Sequence, residues 1–302
     1  MLFPRHHTIT LDAALRDLVS DDPRVRASAA DSLGDVEGEV DRARAGAALI
    51  QALDDPRVEV VCNAALALGA LADKTAVDVL LRKLESDSAE VRQTATIALG
   101  RIADTRAFEP LARALTDGPP DVRYQAALSL IEVDPSRAFD PLARAVADED
   151  AEVRGSVATA LGILGDPRAA GWLAELVGDA RAETRFEAAC ALARLGDARA
   201  VEPLLPFLER DDCAFAAIEA LEWTGDRRSA ARLAHVMHRI FAARVVRVRA
   251  AAALLAVAPD HGDAAWAHDY LKKAARARRE DVRGLAEEAL ARLGGEGSES
   301  PR

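Results

Sequence analysis

The sequence is poor in aromatic residues and cysteine, and it has no long apolar run. Only 4% of its 302 residues are aromatic, and three are cysteines. Without a run of about 18 uncharged apolar residues, the sequence predicts no transmembrane helix. No cysteine lies in a CxxC pair, so neither a disulfide framework nor a zinc site is expected. Residues 1–10 lack the apolar core of a signal peptide, and we therefore expect a cytoplasmic protein.

What the sequence has in abundance is alanine, about a fifth of all residues. A compact core built mainly from alanine buries little apolar area per residue, whereas small side chains suit helices whose backbones approach closely. The formal net charge is −11. Composition therefore favours stacked helices over a conventional globular core.

A repeat of 31 residues runs through the chain. Positions 60, 91, 122 and 153 are all valine and position 184 is threonine, so four successive steps have the same length. Less regular copies begin at 25, 213, 248 and 282, which makes nine copies in all. Four equal steps in a row do not arise by chance from an alanine-rich composition, so the repeat determines the predicted fold.

Each copy is predicted to form two helices. The first is short and amphipathic, as in 106–115, and the second starts at the repeat position with apolar residues at helical spacing. Gly-Asp pairs at 165, 196 and 225 end one copy and start the next. Copies eight and nine are predicted to have longer first helices, at 227–243 and 262–276. The fold class is all-α, an α-solenoid, with an N-terminal extension at 1–9, a single solenoid at 10–293 and a disordered tail at 294–302.

The sequence Leu-Gly-Ile-Leu-Gly-Asp-Pro-Arg-Ala at 161–169, followed by a leucine-rich helix and an Asp-x-x-x-x-Val-Arg turn, resembles the HEAT repeat. It is most similar to the short type named after phycobilisome lyases, and the resemblance covers residues 10–294. It implies a right-handed superhelix of about nine helix pairs. It does not specify a function, because this repeat serves scaffolds, chromophore lyases and a di-iron hydroxylase.

A row of arginines follows the repeat position. With aspartates in the turns upstream, the row suggests either a phosphate-binding surface or a structural Asp–Arg ladder between copies, and one charge per repeat favours the ladder. The row consists of Arg26, Arg92, Arg123, Arg154, Arg185, Arg249 and Arg283.

No enzyme chemistry, cofactor or metal is predicted. His235 and His238 have a spacing compatible with two metal ligands, but no carboxylate or cysteine motif completes a shell. No histidine is followed by glutamate, as the HEAT-type hydroxylase would need, and there is no phosphate-binding glycine loop. Cys190 and Cys213 lie in neighbouring copies that contain no histidine, so a nucleophile–base pair is missing.

The second helices are expected to line a concave face, with offsets 2, 6 and 9 of each copy pointing into the groove. These offsets place three of the twelve aromatic residues there, together with polar neighbours. The alternative is that these rings fold down between the helices. The predicted partner-binding residues are Gln93, Tyr124, Phe186, Phe215, Glu219, Glu222 and Trp223.

The sequence thus predicts a scaffold or adaptor that binds a protein or peptide on its concave face. Tyr124, Phe186 and Phe215 would be apolar anchors, and Glu219 with Glu222 would favour a basic residue of the partner. Two alternatives are a bilin-lyase-like, chromophore-handling protein and a nucleic-acid-binding protein that uses the basic region 226–292. That region carries net +6 against −17 elsewhere, and the acidic remainder would repel a duplex. The sequence does not predict an oligomeric state.

Overall fold

The computed structural model describes residues 10–294, and the predictions made for 1–9 and 295–302 lie outside the described residues. Gly294, predicted to be the first residue of the tail, is instead the last residue of a helix. Within the described range the chain is helical, without strands, as the predicted all-α class requires. The α-helices, in chain order, are α1 Leu11–Asp17, α2 Pro23–Leu33, α3 Glu39–Ala52, α4 Val58–Ala70, α5 Val77–Lys83, α6 Ala89–Ile102, α7 Phe108–Asp117, α8 Pro120–Val133, α9 Pro135–Ala145, α10 Ala151–Leu164, α11 Ala170–Leu176, α12 Ala182–Arg194, α13 Val201–Leu204, α14 Ala214–Thr224, α15 Ala230–His238, α16 Arg244–Val257, α17 Ala264–Ala274 and α18 Glu280–Gly294.

The helices alternate between a first and a second helix of each copy, so the odd-numbered and even-numbered helices form nine pairs over residues 10–294. Five of the first helices are preceded by a 3-10 turn, such as Thr105–Ala107 before α7. In copy seven the first helix is only α13, and a 3-10 segment, Leu205–Glu209, continues it. No helix of the described part is long and apolar enough to cross a bilayer.

The described part of the chain divides into two compact units, residues 10–160 and 161–294. In the first unit α2, α4, α6 and α8 pack side by side in sequence, and in the second unit α12, α14, α16 and α18 do the same. First helices pack against the second helix of their own copy, as α7 does on α8 and α15 on α16. In each unit the second helices therefore form a continuous layer. First and second helices alternate along the chain, as they do in an α-solenoid.

Small residues set the distance between second helices. A Cβ added at Gly69 would lie 3.1 Å from the Cα atom of Ala98, and one at Gly162 would lie 2.7 Å from that of Ala191. These glycines occupy offset 9 of their copies, which the sequence predicted to face the groove. That prediction is wrong, because offset 9 lies where one second helix meets the next.

The copies end as predicted, with residues in the left-handed backbone region. Gly165 has φ +71°, where a side chain would be strained, and Gly196 and Gly225 have similar values. The aspartate that follows each of these glycines caps the next 3-10 turn. Asp166, for example, accepts a hydrogen bond of 2.9 Å from the backbone N–H of Arg168.

The first helices of copies eight and nine are shorter than predicted. The prediction of 227–243 is replaced by a 3-10 turn and α15, which ends at His238, and 262–276 is replaced by α17. Residues 239–243 are not helical and include a turn, where the side chains of Ile240 and Phe241 are 80% and 101% exposed.

Candidate functional site

The arginine row is a hydrogen-bonded ladder in three copies of the first unit. The Nε and Nη2 atoms of Arg123 donate to the Asp148 carboxylate at 2.8 Å each, and both side chains are about nine-tenths buried. Arg26 binds Asp55 at 2.7 and 3.0 Å, and Arg92 binds Asp121 at 3.1 and 3.2 Å. The remaining nitrogen of each guanidinium, Nη1, donates to a backbone carbonyl in the turn that precedes the arginine's own helix. These guanidinium groups are therefore engaged within the chain.

The other four arginines of the row also contact groups of the chain. Arg154 donates to the carbonyl oxygen of Asp148 at 2.7 Å, and Arg283 donates to that of Ala277 at 3.3 Å. Arg185 donates to the carbonyls of Asp179 and Ala180 at 2.9 Å each. Arg249, which is buried, contacts a carboxylate of the preceding copy, since its Nη1 lies 2.6 Å from Oε2 of Glu222.

In the first unit, part-exposed side chains of α4, α6 and α8 form a mostly apolar surface, which we call the N-terminal surface. Tyr124 is 37% exposed and Gln93 is half-buried, both at offset 2 of their copies. Offset 6 adds Leu66, Ile97 and Leu128, all half-buried. In these copies the exposure matches the orientation predicted for offsets 2 and 6. In copy eight it does not, because Ala250 and Leu254 at the same offsets are fully buried.

In the second unit offsets 2 and 6 of α12 and α14, together with Trp223 of α14, form the C-terminal surface. It is made of Phe186, Phe215, Glu219 and Trp223. Phe215 and Trp223 are each 38% exposed. Phe186 is half-buried and packs its ring against that of Phe207, with 4.7 Å between the centroids. The two readings of the sequence thus each apply to part of the surface: Phe215 faces outward, whereas Phe186 folds partly down between helices.

Charged side chains border the C-terminal surface. The guanidinium of Arg194 stacks over the Trp223 ring at 4.3 Å from its centroid. Glu222 is largely buried and contacts both Arg249 and Arg292, the latter at 3.2 Å. Glu219 is more exposed and lies 3.7 Å from Arg249. Of the two glutamates, Glu219 has the carboxylate more accessible to a basic group of a partner.

The cysteines near this surface are poor nucleophiles. Burial raises the pKa of the Cys190 thiol to about 12, and burial also raises the pKa of Cys213. Both thiols are therefore protonated at neutral pH, when only the thiolate attacks.

Of the two histidines that the sequence singled out, His238 is part of an aromatic cluster. His238 stacks on Trp266 with 4.5 Å between centroids, and its Nε2 lies 3.1 Å from Oδ1 of Asp263. His235 is exposed on the same helix. Among residues 10–294, no group of three or more histidine, cysteine or carboxylate side chains is placed to hold a metal ion.

Sequence reasoning did not single out Ile240 and Phe241, the most exposed large apolar side chains of the second unit. The signal that was available is the spacing: from 213 to 248 the repeat step exceeds 31 residues. Those additional residues include the turn that carries these two side chains.

Comparison with known families identifies the repeat. HEAT repeats match residues 46–130 and 109–189, and the PBS lyase HEAT-like repeat matches residues 25–55 and 184–210. Together these matches run from residue 25 to residue 210, more than half of the chain. No curated protein matches the sequence.

Solved structures share the architecture. A chain of the Kap95:Nup1 complex has a TM-score of 0.66 at 16% identity, covering 93% of this chain and 45% of that one. The Escherichia coli protein YibA has a TM-score of 0.57 at 16% identity, covering 88% and 96%. The CpcE–CpcF complex of phycocyanin lyase from Nostoc sp. PCC7120 has a TM-score of 0.46 at 23% identity, covering 90% and 98%. At these identities the likeness shows the fold alone. From the repeat, the paired helices and the family matches, the chain belongs to the HEAT-repeat proteins, with repeats of the PBS-lyase HEAT-like type among its copies.

Proposed function

We propose that this protein is a non-enzymatic adaptor that binds a protein or peptide partner along the layer of second helices. The observation that carries the proposal is the exposure of Tyr124 and Phe215 at the same offset of their copies. In a chain with so few aromatic residues, rings left in contact with water at repeat-equivalent positions are typical of surfaces that a partner covers.

The chemistry around these rings supports a peptide or protein partner. Half-buried aliphatic side chains such as Ile97 and Leu128 continue the N-terminal surface, and Gln93 offers an amide that can bind a partner's backbone. On the C-terminal surface Glu219 lies beside Phe215, so a basic residue next to an apolar one is favoured in the partner. The acidic balance outside 226–292 disfavours a nucleic-acid duplex.

Two further features agree with this proposal. The protonated thiols of Cys190 and Cys213 are unsuited to covalent catalysis, and the three free cysteines are compatible with the predicted cytoplasmic location. Among solved HEAT-like solenoids, the Kap95 chain is itself described in a complex with another protein, Nup1.

The test uses one substitution per surface, because each unit carries its own. Partners recovered with the parent protein from its native host are identified, and the binding of each purified partner to Tyr124→Ala and Phe215→Ala is then measured by calorimetry. Loss of an aromatic anchor is expected to weaken binding by about 1–3 kcal/mol. Phe186 is left intact, because its contact with Phe207 makes it a packing residue as well.

The matched control is Phe241→Ala, which removes an equally large ring that is exposed outside both surfaces. Unchanged melting temperatures establish that all three variants are folded. The proposal fails if Tyr124→Ala and Phe215→Ala bind every recovered partner as tightly as the control does.

A further inference from the structure

Two cavities lie at repeat-equivalent positions, one in each unit. The cavity of the first unit, about 820 Å³, is lined by Arg92, Pro110, Ala114 and Asp117 among others. The cavity of the second unit, about 330 Å³, is lined at the corresponding positions by Arg185, Pro203, Phe207 and Arg210. Each of these four residues follows its counterpart by three repeat lengths, so the two cavities are copies of one feature with different side chains.

Charge distinguishes the two cavities. In the first cavity the Nε and Nη2 atoms of Arg92, which together we call the fork of the guanidinium, donate hydrogen bonds to Asp121. Asp117 adds a carboxylate to the lining. In the second, Arg210 replaces that aspartate, and the lining contains two arginines and no acidic residue. Arg185 donates only to backbone carbonyls, and within residues 10–294 no carboxylate lies within ion-pair distance of it.

The sequence explains why the ladder is interrupted here. In the intact copies the carboxylate follows its arginine by 29 residues, as in the Arg92–Asp121 pair, or by 25 residues, as in the Arg123–Asp148 pair. The residues at those distances from Arg185 are Ala214 and Arg210.

Neither residue can accept a hydrogen bond through its side chain. The nearby Asp212 does not substitute for the missing carboxylate, because it pairs with Arg210 at 2.8 Å. The open fork of Arg185 is therefore a consequence of this copy's own sequence.

We propose that the second-unit cavity binds a carboxylate carried on a small apolar group. The Nε and Nη2 atoms of Arg185 present the planar, two-pronged geometry that binds a carboxylate in the intact copies of the ladder. Phe207, Pro203 and Val177 supply an apolar wall beside it, and Arg210 adds a second positive charge at the rim. The volume suits one small acid or one acidic side chain of a peptide.

The probes are sodium phenylacetate, for a free acid, and the dipeptide Ac-Phe-Asp-NH2, for a carboxylate on a peptide. Binding of each to the full-length protein is measured by calorimetry at low ionic strength. We expect saturable binding of at least one probe, and the stronger one identifies the source of the carboxylate. Phenylacetamide, which keeps the ring but loses the charge, is expected not to bind.

Three variants locate the site. Arg185→Gln is expected to weaken probe binding by about tenfold or more, because charge-assisted hydrogen bonds are lost. Arg210→Gln, a change at an exposed residue that leaves folding intact, is expected to weaken it less. Arg92→Gln is the matched control, since its fork is already occupied by Asp121, and it should leave probe affinity unchanged.

The proposal is overturned if neither probe binds the parent protein. It is also overturned if phenylacetamide binds as well as phenylacetate, or if both Arg185→Gln and Arg210→Gln retain full affinity. Circular dichroism of each variant shows whether a loss of binding reflects unfolding, in which case Arg210→Gln decides the question.

Discussion

Whether the arginine after the repeat position forms a ladder ion pair depends on whether the following copy supplies a carboxylate. Arg123 and Arg185 occupy the same place in their helices, but the first meets Asp148 whereas the second meets no carboxylate within residues 10–294. The residue type alone therefore does not determine whether the guanidinium is structural. For Arg123 and Arg185 the residues 25 and 29 positions later make the difference.

This difference predicts unequal costs of removing the two side chains. Arg123→Ala is expected to lower the free energy of unfolding by about 3–5 kcal/mol, because it leaves the buried Asp148 carboxylate without its ion pair. Arg185→Ala should cost clearly less, since no carboxylate loses its partner. Urea unfolding monitored by circular dichroism measures both. Equal losses would contradict the account of the ladder.

The aspartates at the junctions between copies make the free energy of unfolding depend on pH in the acid range. Hydrogen bonds from the arginine two residues later lower the pKa of Asp104, Asp166, Asp197 and Asp226 below the usual value. A pKa that is lower in the folded state favours folding above the unfolded value of about 3.9, and this contribution is lost as the pH falls through the folded value.

Urea midpoints measured between about pH 5 and pH 2 are therefore expected to decrease steadily. A variant carrying Asp104→Asn and Asp166→Asn should be less stable at neutral pH and should lose less stability on acidification. If its midpoint falls as steeply as that of the parent, these carboxylates are not responsible for the acid sensitivity.

Burial makes a prediction for Cys190. With a pKa raised to about 12, its thiol should react with iodoacetamide at about pH 8 more than tenfold more slowly than in urea. Peptide mass spectrometry after timed quenching measures the modification at this position. Equal rates in the folded and unfolded protein would show that the thiol is not protected.

At the scale of the helix, contact between neighbouring second helices depends on offset 9. Gly162→Ala would place a methyl group 2.7 Å from both the Cα and the Cβ of Ala191, so the helices must separate. Overpacking of this kind costs about 1–3 kcal/mol.

The control is Gly284→Ala, which lies in α18 with no atom within 4 Å of the added methyl group and should stabilise the protein by up to about 1 kcal/mol. Thermal melting compares the two. A tolerated alanine at 162 would mean that the helices can separate there without loss.

Helical periodicity was sufficient to predict the pairs of helices and the outward placement of Tyr124 and Phe215, because both follow from the repeat frame. It did not predict that Phe186 packs on Phe207 or that Glu222 contacts Arg249, since those neighbours lie in other copies. Offset 9 was misassigned for the same reason. The residue pattern within one helix does not specify how closely the next helix packs against it.

At the scale of the whole chain, each unit is a layer of similar helices that differ in what they expose. The repeat determines the arrangement of the helices, while departures from it carry the distinctive chemistry. Arg185, whose fork is open, lies in the copy that precedes the irregular copy seven. Ile240 and Phe241, which are exposed, lie in the longer segment between the repeat positions of copies seven and eight. Family membership therefore predicts the architecture well and the partners poorly, because partners depend on these departures.

The ladder also makes the first unit tolerant of losing a whole copy. Deletion of residues 92–122 would join Val91 to Arg123. Arg123 would keep its hydrogen bonds to Asp148, and it could donate to the backbone carbonyl of Ser86, which now accepts from Arg92. Gly69 would then face Ser129, as Gly100 already does.

We expect the shortened protein to fold, with a helical circular dichroism spectrum and a melting temperature close to that of the parent. Removal of half a copy leaves a helix without its partner and should clearly lower the melting temperature. Arg92 and Arg123 each pair with an aspartate of the following copy, so deletion of one of these copies as a whole unit leaves the remaining arginine with a carboxylate partner. Evolution can therefore lengthen or shorten such a chain to fit a partner without redesigning any single contact.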